Sequence, residues 1–146
     1  MTKHHATPRR GLLLFAHGAR DPNWALPFQA LERHLAAQAP ECAVALAFLE
    51  FMAPTLSEAG ASLAGRGCTR IDVVPVFLGA GGHVRRDLPE LLDRLRLAHP
   101  NVVWSLHPAV GELPAVIEAM AHAIAETVLH PIRPAPLSGP GSPRTS

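Results

Sequence analysis

The stretch IDVVPVFLGAGGHV, residues 71–84, joins an apolar run to a group of glycines and a histidine. Residues 71–78 are rich in Val, Ile and Phe and do not alternate cleanly between polar and apolar side chains, which is typical of a strand buried on both faces of a parallel sheet. Pro75 cannot donate to a ladder of hydrogen bonds, so we expect a bulge or a missing hydrogen bond there. The glycines predict a loop, and a helix is expected from about Val84.

Three more apolar runs, at residues 12–16, 43–49 and 102–106, share this pattern. Segments of helical character follow the runs, and prolines or N-cap residues mark the starts of three of them: Asp21-Pro22, Pro54 and Pro114. A strand followed by a helix, repeated along the chain, predicts the α/β fold class, with a four-stranded parallel sheet flanked by helices on both faces. We assume the strand order 2-1-3-4, which is common among doubly wound folds.

The length of 146 residues suits a single domain with one hydrophobic core. We predict that this domain occupies residues 11–129. Residues 1–10 and 130–146 are expected to be disordered, because neither segment has enough apolar side chains to bury and the second is made largely of Pro, Gly, Ser and Arg.

The bulk composition limits the partners and the compartment. A formal charge of +1 and the lack of a Lys/Arg stripe argue against nucleic acid as a partner. No run approaches the ~20 apolar residues of a membrane span. Cys42 and Cys68 have neither the spacing of a disulfide framework nor that of a thiolate metal site. We therefore expect a cytoplasmic protein with free thiols and no membrane partner.

A polar residue follows each predicted strand: His17, Glu50, His83 and His107. Ligands of open parallel sheets bind at the carboxyl ends of the strands. With the assumed order, the loops that carry His17 and His83 face each other across one crevice, and Glu50 lies beside His17. Two imidazoles and a carboxylate suit a divalent first-row metal and leave positions open for substrate. Each residue also has a simpler interpretation as a solvated strand end, and His107 is the weakest candidate.

The surroundings of His83 are those expected of an anion-binding site. His83 lies near the start of a helix, whose dipole favours the neutral imidazole that binds metal. Backbone N–H groups at Gly81 and Gly82 can approach an anion closely. Three arginines are candidates for binding carboxylates: Arg20, Arg85 and Arg86. An ordinary exposed helix face is the simpler interpretation of the last two.

Four stretches, LLFAHGARDP (13–22), AFLE (47–50), VVPVFLGAGGHV (73–84) and DLP (87–89), resemble the small class II chelatase family, the sirohydrochlorin cobaltochelatases and ferrochelatases. The likeness spans about residues 11–128, and FLGAGGHV is its most specific part. Glu50 stands 33 residues after His17 and His83 stands 33 residues after Glu50, which fits the metal site of the family. Two positions depart from the family pattern: Ala19 stands where Ser is common, and His107 stands where small or apolar residues are common.

The resemblance implies an activity, a substrate and an assembly. The activity is insertion of a divalent metal, with Co2+ favoured, into a sirohydrochlorin-type tetrapyrrole in cobalamin or sirohaem biosynthesis. The resemblance also implies that His17, His83 and Glu50 bind the metal and carry the catalysis, and that two chains form a homodimer around the macrocycle. No tightly bound cofactor is expected, since the metal is a substrate, and Fe2+ or Ni2+ would suit the same ligands.

Three other functions stay open at this point. The first is a ferrochelatase that serves sirohaem synthesis, and the second is a non-catalytic carrier of metal or tetrapyrrole. The third is a phosphate-ester enzyme that uses the glycine loop. Against the third, no G-K-[ST] follows the glycines and no Arg directly precedes His17-Gly18.

Overall fold

The computed structural model describes residues 9–79 and 81–130, so most of the two termini predicted to be disordered lies outside the described residues. In the described ranges, four strands alternate with four helices, and short 3-10 helices precede the first and the last helix. The bounds are β1 Arg9–Ala16, a 3-10 helix Pro22–Ala25, α1 Leu26–Gln38, β2 Cys42–Phe48, α2 Leu56–Gly65, β3 Cys68–Pro75, α3 Gly82–Ala98, β4 Val103–Leu106, a second 3-10 helix Val110–Glu112, and α4 Pro114–Leu129.

The strands form one parallel sheet in the order β2-β1-β3-β4, which confirms the order assumed from the sequence. Leu14 of β1 pairs with Leu46 of β2 on one side and with Val74 of β3 on the other, and Val73 pairs with Leu106 of β4. The chain leaves β1 toward β2 and then returns to the opposite side of β1. The connections therefore diverge between β1 and β3, which is where an open parallel sheet binds its ligands.

Apolar side chains cover both faces of the sheet, as the uninterrupted apolar runs predict. On one face, α2 and α3 pack on the sheet through side chains that include Leu13, Leu63 and Leu92, all of them at most 2% exposed. On the other face, α1 packs on β1 and β2 around Leu14 and the partly buried Phe28. Burying one such side chain contributes about 1.5–3 kcal/mol relative to leaving it exposed. The two layers make the sheet a rigid support for the loops at its carboxyl edge.

Two strand ends differ from the predicted bounds. β1 begins at Arg9, so Arg9 and Arg10 belong to the sheet and not to a disordered terminus; an ion pair holds Arg10, whose Nε lies 2.9 Å from Asp72 Oδ2. β3 ends at Pro75, earlier than the predicted residue 78. Pro75 pairs in register with Phe15, and the register shift that we expected there falls between Arg9 and Arg10 instead. Pairing with β1 continues past Pro75, since Val76 N donates to Phe15 O at 2.7 Å, and proline is tolerated at such a strand end.

Polar caps mark where two of the helical segments begin. The carboxylate of Asp21 accepts a hydrogen bond from Asn23 N at 2.9 Å at the start of the first 3-10 helix. The hydroxyl of Thr55 accepts one from Glu58 N at 3.2 Å at the start of α2. Such caps satisfy backbone donors that have no partner within the helix. No helix in the described ranges is long and apolar enough to cross a membrane.

Helix α4 has an apolar surface that the rest of the described chain leaves uncovered. None of its residues is buried. Ile117, Ile124 and Val128 are 50%, 64% and 69% exposed, and Leu129 is 70% exposed. Contiguous apolar surface of this kind is typical of an interaction site.

Candidate functional site

His17 and Glu50 lie side by side at the carboxyl ends of β1 and β2. Leu49 N donates to Ala16 O at 2.8 Å, which extends the strand pairing up to these two residues. His17 Nδ1 is 3.5 Å from Glu50 Oε1. Gly18 permits this proximity, because a Cβ at Gly18 would overlap the carbonyl oxygen of Glu50. The structure therefore brings two of the predicted site residues together.

Two aromatic side chains hold the loop that carries His17. The ring of Phe77, just beyond the end of β3, lies against the His17 imidazole with 4.5 Å between the ring centroids. Trp24 Nε1 donates to the carbonyl oxygen of His17 at 2.8 Å. Since Nδ1 of His17 faces Glu50, Nε2 is the nitrogen left for a metal or a substrate. Our sequence analysis missed both aromatic contacts, although an aromatic residue two positions before the glycine loop was a signal for the first.

His83 lies in the first turn of α3, after the N-cap Gly81, and it is exposed. Its helix follows β3, the neighbour of β1, so His83 and His17 belong to the same edge of the sheet. Across residues 9–79 and 81–130, no group of three or more His, Cys, Asp or Glu side chains is placed so that it could hold a metal ion. A single chain thus pairs His17 with Glu50 and does not add His83 to them, and the three-residue metal site stays a prediction.

The glycines before His83 have open space around them. Gly81 and Gly82 are both exposed, and a Cβ at Gly81 would meet nothing within 4 Å. Packing within the described chain therefore does not require glycine at residue 81. The space leaves room for an anion, and binding by these backbone N–H groups remains a prediction.

The three arginines that were predicted to bind carboxylates are all exposed, in different surroundings. The guanidinium of Arg20 lies over the ring of Phe51, 5.2 Å from its centroid. Arg85 Nη2 is 3.2 Å from Glu112 Oε1. Arg86 follows on the same helix, in its second turn. The contacts described for Arg20 and Arg85 are with different neighbours, Phe51 and Glu112, so the predicted roles of the arginines depend on where the substrate extends.

Asp72 is a buried carboxylate that our sequence analysis missed. Its side chain is 12% exposed, with Oδ1 2.8 Å from His107 Nε2 and Oδ2 2.9 Å from Arg10 Nε. Burial raises the pKa of Asp72, but hydrogen bonds from His107 and Arg10 outweigh burial and hold this pKa below its usual value. Asp72 is therefore ionised at neutral pH and fixes His107 at the edge of the sheet. The sequence does contain a signal for this buried carboxylate, because Asp72 stands between Ile71 and Val73 in an otherwise apolar strand.

A groove of about 300 Å³ lies between the end of β3, the first turns of α3 and the second 3-10 helix. Its apolar lining includes Phe77, Leu88 and Ala109. Its polar side chains are those of Arg85, His107 and Glu112. We call this space the His107 groove. Because Phe77 also contacts the imidazole of His17, the groove adjoins the pair formed by His17 and Glu50.

Comparison with known families gives this arrangement a context. A family model described as CbiX matches residues 11–127, which is nearly all of the described chain. The chain belongs to the CbiX family. The family assignment confirms the resemblance that the motifs around His17, Glu50 and His83 indicate.

The CbiX chain is similar to archaeal proteins over part of their length. A sirohydrochlorin cobaltochelatase of Methanosarcina acetivorans is 36% identical over 87 residues, which cover 60% of this chain and 67% of that protein. The chain spans less than two thirds of two further relatives of the same name, 63% and 62% of their lengths.

Solved structures share the fold. A CbiX protein from Marinobacter aquaeolei VT8 superposes with a TM-score of 0.74 at 29% identity, over 82% of this chain and 95% of that one. The sirohydrochlorin chelatase SirB from Bacillus subtilis subspecies spizizenii, solved in complex with cobalt, superposes with a TM-score of 0.71 at 24% identity. That alignment covers 81% of this chain and 50% of SirB. The parallel sheet with helices on both faces is thus the class II chelatase fold, as predicted.

Proposed function

We propose that this CbiX-family chain is a sirohydrochlorin cobaltochelatase, which inserts Co2+ into the macrocycle. The observation that carries the proposal is the pair formed by His17 and Glu50, 3.5 Å apart at the point where the connections of the sheet diverge. His83 follows the neighbouring strand on the same edge. The names of the archaeal relatives support both the substrate and the choice of cobalt.

The metal is a substrate that the chain transfers, and its ligands are proposed as follows. His17 Nε2 and the exposed imidazole of His83 replace water on the incoming M2+. Glu50 lies on the Nδ1 side of His17, where a carboxylate fixes the tautomer that leaves Nε2 free and makes the imidazole a better ligand. Phe77 keeps the plane of the ring fixed. Because one chain does not close a three-residue site, the pyrrole nitrogens of the substrate complete the coordination.

Insertion also requires that two pyrrole N–H groups lose their protons while M–N bonds form. Glu50 is about one third exposed and accepts these two protons one after the other, passing each to solvent. General base assistance of this kind is typically worth ~10²–10⁴ in rate. The metal arrives with two positive charges and two protons leave, so the charge of the site is unchanged by the reaction.

The rim of the site supplies groups for the carboxylate arms of the macrocycle. Arg20, Arg85 and Arg86 are exposed guanidinium groups near the carboxyl edge of the sheet. Gly81 and Gly82 offer backbone N–H groups at the start of α3. Charge-assisted hydrogen bonds from such groups are the usual means of holding carboxylates.

A second copy of the chain completes the enclosure of the substrate in this proposal, which makes the enzyme a homodimer. The uncovered apolar surface of α4, with Ile117 and Ile124 half exposed or more, supports a partner. This chain aligns with 50% of the SirB chain, so two copies together would match the length of SirB. A soluble α/β domain rarely leaves such a helix in contact with water.

We also place the enzyme in the cytoplasm. Cys42 and Cys68 are both free, and Cys68 is buried. Burial raises the pKa of the Cys68 thiol, which keeps it protonated and unreactive. Unpaired thiols are typical of a reducing compartment.

Anaerobic absorbance spectroscopy of sirohydrochlorin with Co2+ or Fe2+ tests the proposal. Wild type should insert metal much faster than the solution without enzyme, and His17→Ala and His83→Ala should lose most of this gain. His34→Ala, an exposed histidine on α1, is the matched control and should retain it. Faster insertion of Fe2+ than of Co2+ would assign a ferrochelatase, and wild type that binds metal without accelerating insertion would assign a carrier.

A further inference from the structure

We propose that the His107 groove binds one carboxylate arm of the macrocycle, and that His107, held by Asp72, is the residue that selects it. The proposal rests on the proposed function, because it identifies how the same substrate is oriented. It assigns a role to a histidine that our sequence analysis ranked last among the strand-end residues.

The size and lining of the groove fit one arm and not a whole ring. A space of about 300 Å³ is at the lower end of the range for small-molecule sites, which suits an acetate or propionate arm. Phe77, Leu88 and Ala109 offer apolar surface for methylene groups. Polar groups at Arg85 and His107 then meet the carboxylate at the end of the arm.

The direction of the His107 ring follows from its partner. His107 Nε2 is 2.8 Å from Asp72 Oδ1, and Asp72 is ionised, so Nε2 carries a proton and donates it. The side chain of His107 is 47% exposed, which leaves the Nδ1 edge for a ligand. In a protonated imidazole Nδ1 is a donor as well, so a negatively charged ligand at this edge can accept a hydrogen bond from it. A carboxylate is the ligand that such a donor binds best.

Four charged side chains, each on a different element, lie near the His107 ring or line the groove. Asp72 on β3 and Arg10 on β1 lie on the Nε2 side of the ring, and Arg85 on α3 and Glu112 on the second 3-10 helix line the groove. Glu112 Oε1 is 3.2 Å from Arg85 Nη2, and both side chains are about half exposed or more. An exposed ion pair of this kind is weak. We infer that Glu112 occupies the position of the substrate carboxylate and gives it up on binding.

The groove is connected to the site of metal insertion through one side chain. Phe77 lines the groove and also contacts the His17 imidazole, with 4.5 Å between centroids. An arm in the groove would therefore fix the position of the ring relative to His17. The expected consequence is an effect on substrate binding and KM with little effect on kcat at saturating substrate.

Titration of the metal-free chain with sirohydrochlorin tests the assignment. His107→Asn should raise the Kd about ten-fold, which is the effect of losing one charge-assisted contact. Glu112→Gln should lower the Kd about two- to three-fold, because it removes a carboxylate that competes with the substrate for Arg85. His34→Asn on α1 is the matched control and should leave the Kd unchanged. Fully esterified sirohydrochlorin, which has no free carboxylates, should show no difference between wild type and His107→Asn.

The outcomes separate the two proposals. A wild-type chain that neither binds sirohydrochlorin nor inserts metal would overturn the proposed function, and this inference with it. A working wild type together with an unchanged Kd for His107→Asn would overturn the groove alone. Weaker binding of Co2+ by His107→Asn without tetrapyrrole would make His107 a metal ligand and also overturn it. Glu112→Gln changes an exposed side chain, so it keeps the test decisive if His107→Asn fails to fold.

Discussion

Gly18 is the position where a single methyl group should separate the two residues at the centre of the site. A Cβ at Gly18 would overlap the carbonyl oxygen of Glu50 and lie 3.3 Å from Met52 Cγ. The methionine side chain can move, but the Glu50 backbone cannot move without displacing the segment after β2. Gly18 has no positive φ, so an alanine would be strained by crowding alone. Overpacking of this kind typically costs about 1–3 kcal/mol.

We therefore expect Gly18→Ala to lower the midpoint of thermal unfolding by roughly 2–12 °C, since 1 kcal/mol corresponds to about 2–4 °C for a domain of this size. A displacement of about 1 Å between His17 and Glu50 should also reduce metal insertion by ~10²-fold. Gly65→Ala is the matched control, because its Cβ would meet nothing within 4 Å and the residue ends α2. This control should be stabilised by about 0.4–1 kcal/mol. The reasoning is refuted if Gly18→Ala unfolds like wild type and inserts metal at the same rate.

Three further changes test other parts of the structure. Phe77→Ala, at a ring 4% exposed, should lower the free energy of unfolding by about 3–5 kcal/mol in urea, whereas Leu97→Ala, 83% exposed, should leave it nearly unchanged. Asp72→Asn should cost about 1.5–3 kcal/mol at neutral pH. Because folding lowers the pKa of Asp72, its stabilisation is present above the ordinary carboxyl pKa and is lost as the pH falls through the lowered pKa. The difference in unfolding free energy between variant and wild type should therefore disappear below about pH 4. A difference that stays constant with pH would contradict this. Ile124→Glu should shift the chain toward monomer in analytical ultracentrifugation, and unchanged sedimentation would argue against α4 as the dimer surface.

The parallel sheet was predictable because each strand carries its own signal. Residues 12–16 and 43–49 are apolar without alternation, and both strands proved to be covered on both faces. The strand ends were less predictable, since Arg9 pairs with Cys68, and Arg10 with Arg70, through their backbones while the arginine side chains are exposed. Hydrogen bonding of the backbone continues past the last apolar residue, and hydrophobic pattern does not record it.

The candidate site was also predictable only in part. The proximity of His17 and Glu50 follows from strand order, and that order was a sound assumption. The contact between Asp72 and His107 joins residues 35 positions apart and depends on the register of β3 against β4, which no local pattern encodes. Helix α4 was predictable as a helix from its apolar spacing. Its exposure was not, because periodicity indicates an apolar face without indicating what covers it.

The hydrogen bond from Trp24 to the carbonyl oxygen of His17 places a fluorescent side chain beside the proposed metal ligand. The sequence has only two tryptophans, and they sit in opposite environments: Trp24 is 45% exposed beside the site, and Trp104 is 4% exposed in the core. Paramagnetic Co2+ quenches the emission of a nearby indole, and a solvated indole emits at longer wavelength than a buried one. Binding of Co2+ at His17 should therefore reduce the long-wavelength emission of Trp24, while the short-wavelength emission of Trp104 serves as an internal standard. Binding of the metal can then be followed in real time, without a label and without the tetrapyrrole.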